Sequence, residues 1–217
     1  MVTLQLRQLV MQPGQQIQLQ DVNWTEFEAI LDELGDRHST RIAYFEQVLE
    51  IRMPLPKHEK AKVLIGDMVK ILLEELDIEN EGFGSSTFKR ADRAAGIEPD
   101  ECFYIENAAA MIGKERLDLT LDPPPDLAIE VDVTSKTSLS AYQALGVPEL
   151  WRFEDGCLRI SVLHKGQYQD ALTSPHFPQI DVVGLVSEGV GRSQTESRSQ
   201  ILKAFRQTIQ TLLSKQK

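Results

Sequence analysis

Pro123-Pro124-Pro125-Asp126-Leu127-Ala128-Ile129-Glu130-Val131-Asp132-Val133-Thr134 alternates apolar and polar positions behind a run of prolines. Read as a β-strand, it sends Leu127, Ile129, Val131 and Val133 to one face and Asp126, Ala128, Glu130 and Asp132 to the other. Three carboxylates on one side of a strand call for either water or a counter-charge. At a rise of ~3.3 Å per residue, Glu130 and Asp132 lie about 7 Å apart at Cα, close enough for both to reach one hard cation. The plainer alternative is a half-buried edge strand whose acids face solvent, and alternation alone does not separate the two.

A second Pro-Asp pair stands upstream. Pro99-Asp100 opens Glu101-Cys102-Phe103-Tyr104-Ile105, another strand pattern, and proline fixes the chain direction on entering it. Asp100 and Glu130 are then expected to converge from neighbouring strands. Two such carboxylates repel and raise each other's pKa unless a cation joins them, and Mg²⁺ or Mn²⁺ suits an all-oxygen donor set.

Outward from this centre, Asn23-Trp24-Thr25-Glu26 has capping-box spacing, and Phe27, Ile30, Leu31 and Leu34 recur with helical period up to Gly35. Arg41 to Met53 alternates like a hairpin. Pro54 and Pro56 end it, and a helix is expected over Lys57 to Leu76, with Ala61, Ile65, Met68, Leu72 and Leu76 on one stripe. Further strands are expected at Ser85–Arg90, Glu101–Ile105, Leu127–Val133, Glu149–Phe153, Leu158–Leu163 and Gln167–Leu172, with a short helix at Ser138–Leu145. Arg198 to Ser214 is amphipathic through Ile201, Leu202, Phe205, Ile209 and Leu213, so its apolar face needs the core or a second subunit. The expected fold class is α/β, a mixed α+β arrangement. Residues 1–22 read as an arm, 23–185 as the domain, and 186–217 as a linker and terminal helix.

The chain has 217 residues and a net charge of −10, which weighs against binding a polyanion by charge alone. Phe88-Lys89-Arg90-Ala91-Asp92-Arg93 is the best local basic patch. No apolar run approaches the ~18 residues of a membrane span. Met1 to Gln12 is broken by Arg7 and several glutamines and lacks the apolar stretch of a secretion signal, so a cytoplasmic location is expected. Cys102 and Cys157 have no metal or redox spacing and read as buried reduced thiols. Trp24, Trp151, Phe103 and Tyr104 read as core residues before base-stacking platforms, and Arg152 and Arg159 as structural.

Three blocks together resemble a known family: Gly96-Ile97-Glu98-Pro99-Asp100-Glu101-Cys102-Phe103-Tyr104-Ile105, then Leu117 to Thr120 leading into Asp122 to Asp132, then Ala144-Leu145-Gly146-Val147-Pro148-Glu149-Leu150-Trp151-Arg152. In order and over Trp24 to Pro178, they look like the bacterial Uma-two family of restriction endonucleases with the PD-(D/E)xK nuclease fold. That resemblance implies a restriction-endonuclease-like core, a central mixed β-sheet flanked by helices, with an N-terminal helix-hairpin and a C-terminal helix. It implies that Asp100 and Glu130 share a catalytic Mg²⁺ or Mn²⁺. Helix Lys57–Leu76 is similar to the superfamily's first helix, which makes Glu59 a candidate acidic ligand and His58 a candidate proton relay.

Where the superfamily pattern has lysine, two residues after Glu130, this chain has Asp132. That lysine orients water and stabilises charge on the phosphate. Three outcomes are open. Lys89, favoured slightly, or Lys136 replaces it; Asp132 becomes a further metal ligand; or the site is inactive and the chain is a binding or oligomerisation module. The first gives a metal-dependent endonuclease acting on DNA, expected as a homodimer because double-strand cleavage needs two sites. A sugar or nucleotide hydrolase fits less well, since its acid/base pair lies across a cleft.

Overall fold

The computed structural model describes residues 8–35, 39–132 and 135–215. Val133, Thr134 and the first part of the stretch read against a secretion signal lie outside the described residues.

Two sheets carry the strands. The first contains β1 (Gln16–Leu19), the hairpin β2 (Arg41–Phe45) and β3 (Val48–Arg52), then β5 (Phe88–Arg90) and β6 (Ala95–Ile97), in the antiparallel order β1-β3-β2-β6-β5. The second holds β4 (Glu81–Gly82), β7 (Glu101–Tyr104), β8 (Leu127–Val131), β9 (Glu149–Glu154), β10 (Cys157–His164) and β11 (Gln167–Ala171), in the order β11-β10-β9-β8-β7-β4. Its one parallel pair is β8–β9. A parallel pair needs a crossover, and α4 (Lys136–Leu145) supplies it. Ser135 caps α4 by accepting from the Ser138 N–H, and Gly146, at φ 80°, ends it in the left-handed conformation.

The remaining helices are α1 (Trp24–Leu34), α2 (Pro56–Glu75), α3 (Ala108–Met111), α5 (Val182–Arg192) and α6 (Arg198–Ser214). The Asn23/Glu26 capping box opens α1 as its spacing predicts, and a Ser197/Gln200 box opens α6. The alternation of β8 divides the core. Leu127, Ile129 and Val131 face a cluster built from α2, α5 and α6. Ala128 faces the other cluster, with Tyr142 and Ala141 of α4 and with Ala43, Phe88 and Ile97 of the first sheet. The outer side of that sheet is covered by α1 through Phe27, packed with Ile42, Tyr44, Leu49 and Ile51. Gly96 makes this possible, since a Cβ there would stand 2.6 Å from the Phe27 ring.

Several expectations are refined. β8 is central and buried along its whole length, so the solvent-facing edge strand is excluded. The polar arm contributes β1, where Ile17 and Leu19 alternate with glutamines against β3. The stretch read as domain end and linker contains α5: Asp181 caps it, and the Met68 methyl packs against Gly189. The apolar face of α6 is buried in its own chain by Ile201, Phe205 and Ile209, and Arg206 pairs with Glu74 and Glu75 of α2. Cys102 is buried as expected. Cys157, first residue of β10, is exposed, because it falls on the solvent side of that strand. Trp151, Phe103 and Tyr104 are fully buried core residues. Among the described residues, no helix is long and apolar enough to cross a membrane.

Candidate active site

The antiparallel register pairs Glu101 with Ile129 and Cys102 with Ala128. Continued by one step, that register sets Asp100 opposite Glu130, and the Asp100 N–H donates to the Ile129 carbonyl at 3.1 Å. Directly opposed residues share a face, where like charges destabilise the sheet unless neutralised. Both side chains are buried, with exposures of 3% for Asp100 and 2% for Glu130.

Neutralisation comes from the first sheet. Arg52, at the end of β3, places Nη2 3.2 Å from Glu130 Oε2 and 3.7 Å from Asp100 Oδ1, while Nη1 donates to the Val131 carbonyl at 3.1 Å. Arg41, its register partner on β2, donates from Nε to Asp100 Oδ1 at 3.3 Å and reaches Glu59 Oε1 at 3.4 Å. The other oxygens are fixed from the backbone and from α4. The Val131 N–H donates to Asp100 Oδ2 at 2.9 Å, and the Tyr142 hydroxyl donates to Glu130 Oε1 at 2.6 Å.

Burial pushes the Glu130 carboxyl up to about 8, with Asp100 adding to the rise and Arg52 opposing it. Burial likewise raises Tyr142 well above the usual phenol range. Burial works against the Arg52 charge, but Glu130 and Asp100 outweigh it and hold the guanidinium protonated. Glu50, on the same face of β3 as Arg52, is also raised by burial, and its Oε2 lacks a hydrogen-bond partner.

The other candidates are distributed around this pair. Asp132 does not continue the alternation. β8 ends at Val131, Asp132 turns left-handed at φ 54°, and its Oδ2 meets His58 Nε2 at 2.7 Å. Burial lowers the His58 pKa although Asp132 pulls it upward. Glu59 is half exposed and touches the site through Arg41, with Lys62 on its other oxygen at 2.9 Å. Asp126 accepts from the Ile105 and Asn107 N–H groups and from Asn107 Nδ2, which makes it a loop anchor. Lys89 lies on the α1 side of the first sheet, opposite Gly96, and pairs with Glu28 at 2.9 Å, so the fold does not bring it to the carboxylates. Lys136 lines a small cavity of about 70 Å³ together with Glu130, Tyr142 and Arg152. A larger groove of about 750 Å³ runs past Arg41, Lys89 and Arg116, with Glu98 and Glu115 also on its walls.

Arg41, Arg52 and Tyr142 escape a reading of the sequence alone. The available signal was the polar face of the hairpin: Glu50 and Arg52 alternate with the core residues Leu49 and Ile51, and a strand buried on both faces has to satisfy those charges inside.

The sequence profile of the Uma2 family, described as a putative restriction endonuclease, matches residues 24–190. The chain belongs to the Uma2 family. Among solved structures, a putative nuclease belonging to DUF820 from Anabaena variabilis ATCC 29413 superposes with a TM-score of 0.51 at 14% identity, over 85% of this chain and 99% of that one. The chain therefore shares the mixed fold of that protein. A comparison with curated proteins finds no match.

Restriction endonucleases generally require a divalent metal, and the Uma2 site can be tested for one. Among the described residues no cluster of three or more His, Cys, Asp or Glu side chains is placed to hold an ion. Two carboxylates and the Val131 carbonyl nevertheless converge from adjoining positions, all hard oxygens, and a guanidinium already stands among them as a cation. Hard oxygens are the donor type that suits Mg²⁺ or Mn²⁺.

Proposed function

We propose that this chain is a metal-dependent endonuclease that hydrolyses DNA phosphodiester bonds at the Asp100–Glu130 pair. The observation that carries the reading is the meeting of these two buried carboxylates, opposed across β7 and β8, on a single cationic position. Asp100, Glu130 and the Val131 carbonyl are assigned to hold Mg²⁺ or Mn²⁺, which when bound supplies a water of lowered pKa and polarises the phosphate.

The chain's own residues orient the rest. Val131 N–H and Tyr142 O–H each fix one carboxylate oxygen, leaving the others directed at the shared position. Arg41, held between Asp100 and Glu59 and bordering the large groove, is placed to receive a phosphate oxygen. Glu59 acts through Arg41. His58, its ring held through Nε2 by Asp132, is assigned as the proton relay. Lys136, lining the cavity beside Glu130, is assigned to offset charge on the phosphate. A homodimer acting in the cytoplasm completes the proposal for double-strand cleavage.

Incubating the purified protein with supercoiled and linear DNA in Mg²⁺ or Mn²⁺ tests it. Nicking or linearisation that disappears in EDTA and in Glu130→Ala is expected. Absence of cleavage with either metal, or unchanged cleavage by the Glu130→Ala variant, refutes the assignment.

A further inference from the structure

Three of the site's oxygens surround one guanidinium: Glu130 Oε2 at 3.2 Å and the Val131 carbonyl at 3.1 Å accept hydrogen bonds from it, and Asp100 Oδ1, which also accepts from Arg41 Nε at 3.3 Å, lies 3.7 Å away. The two remaining carboxylate oxygens take hydrogen bonds from Val131 N–H and Tyr142 O–H. The groups assigned to a metal are thus the groups that Arg52 occupies.

We infer that Arg52 is a built-in cation that keeps the metal position closed, so that its guanidinium and a divalent ion hold the same three oxygens in turn. This rests on the reading of Asp100 and Glu130 as metal ligands and adds to it a resident competitor. The two cations exclude one another. Arg52 directs its N–H groups at the oxygens that an ion would have to approach to ~2.0–2.1 Å for magnesium, and in a buried site the repulsion between them is weakly screened.

Arg52 is also built to leave. Charge-assisted N–H···O contacts are tight at ~2.7–2.9 Å, and all three of its contacts are longer than that. It extends from β3 in the first sheet, whereas the oxygens belong to β8 and to Asp100 just before β7 in the second, so its departure breaks no hydrogen bond of the β7–β8 ladder. A guanidinium pairs readily with phosphate, which gives it a destination when a nucleic-acid backbone arrives. Arg52 offsets the charge of the buried acids in the metal-free site, and removing it leaves that charge less compensated.

Mn²⁺ titration of the full chain, read by the electron paramagnetic resonance signal of free Mn²⁺ and by melting temperature, tests the competition without any activity assay. Arg52→Gln is expected to bind Mn²⁺ about tenfold or more tightly than wild type. It is also expected to melt below wild type in EDTA and to recover on adding Mn²⁺. The double variant Arg52→Gln with Glu130→Gln should lose that binding. Equal Mn²⁺ affinity in wild type and Arg52→Gln, abolished in both by Glu130→Gln, overturns the competitor role and leaves the metal site standing. No binding in a folded Arg52→Gln, or binding indifferent to Glu130→Gln, overturns the metal site as well. Arg52→Lys keeps a cation at the position and guards the fold: Mn²⁺ affinity below that of Arg52→Gln supports competition, and affinity equal to that of Arg52→Gln overturns it.

Discussion

Asp100 and Glu130 stand opposite each other across the β7–β8 pair, and one nitrogen of Arg52 lies 3.7 Å from the first carboxylate and 3.2 Å from the second. A cross-strand acid pair buried this deeply needs a cation or a bound proton, and here a cation arrives from a different sheet. The site is therefore an interface between the N-terminal hairpin and the nuclease core.

The first prediction concerns pH. Glu130 titrates near 8 in the folded metal-free protein, above the carboxylate range of the unfolded chain, with burial as the main cause and Asp100 second. The folded state therefore holds a proton that the unfolded state has released. Its contribution to stability is present at low pH and is lost as pH rises through about 8. Glu130→Gln lacks this ionisation. In EDTA, the melting temperature of the variant minus that of wild type should rise between pH 5 and pH 9, by several degrees; a difference independent of pH contradicts the shift.

Tyr142→Phe removes the hydroxyl that donates to Glu130 Oε1 and leaves a buried acceptor unpaired. The expected loss is about 1–3 kcal/mol, measured by urea unfolding with an unchanged m-value. A loss below about 0.5 kcal/mol, the range of an inert surface change, argues that the hydrogen bond is not made in solution.

Much of this arrangement is legible in the residues. The alternation of Leu127 to Val131, the caps and stripes of α1, α2 and α6, and the proximity of Asp100 to Glu130 all follow from local periodicity and proline placement. What is not legible depends on long-range contacts. Arg52 reaches Glu130 across 78 positions of sequence, and no local pattern encodes that pairing. Lys89 is one residue from the core side chain Phe88, and that single step of alternation turns it toward α1. Asp132 looks like the next member of the acidic face, but the strand ends one residue earlier and a left-handed backbone redirects it to His58. Gly189 and Gly191 of α5 fall in the stretch read as linker, and only the packing of Met68 against Gly189 shows a helix docked there.

This placement of Asp132 gives a third prediction. Asp132→Lys restores the superfamily's residue pattern and still should not raise the rate of DNA cleavage. The position points at His58 and away from the carboxylate pair, and a lysine tolerates φ near 54° less well than aspartate. Loss of the His58 partner should instead shift the pH profile of whatever cleavage the wild type shows. A rate increase of about tenfold or more, equivalent to 1.4 kcal/mol of barrier, shows that the ammonium reaches the phosphate and that the turn at Asp132 is not fixed.

The most direct measurement is a crystal structure of Arg52→Gln grown in MnCl₂, with the ion located by its anomalous scattering. The account predicts one Mn²⁺ between Asp100, Glu130 and the Val131 carbonyl. Density for Mn²⁺ elsewhere, or none at this position in an otherwise folded molecule, contradicts it.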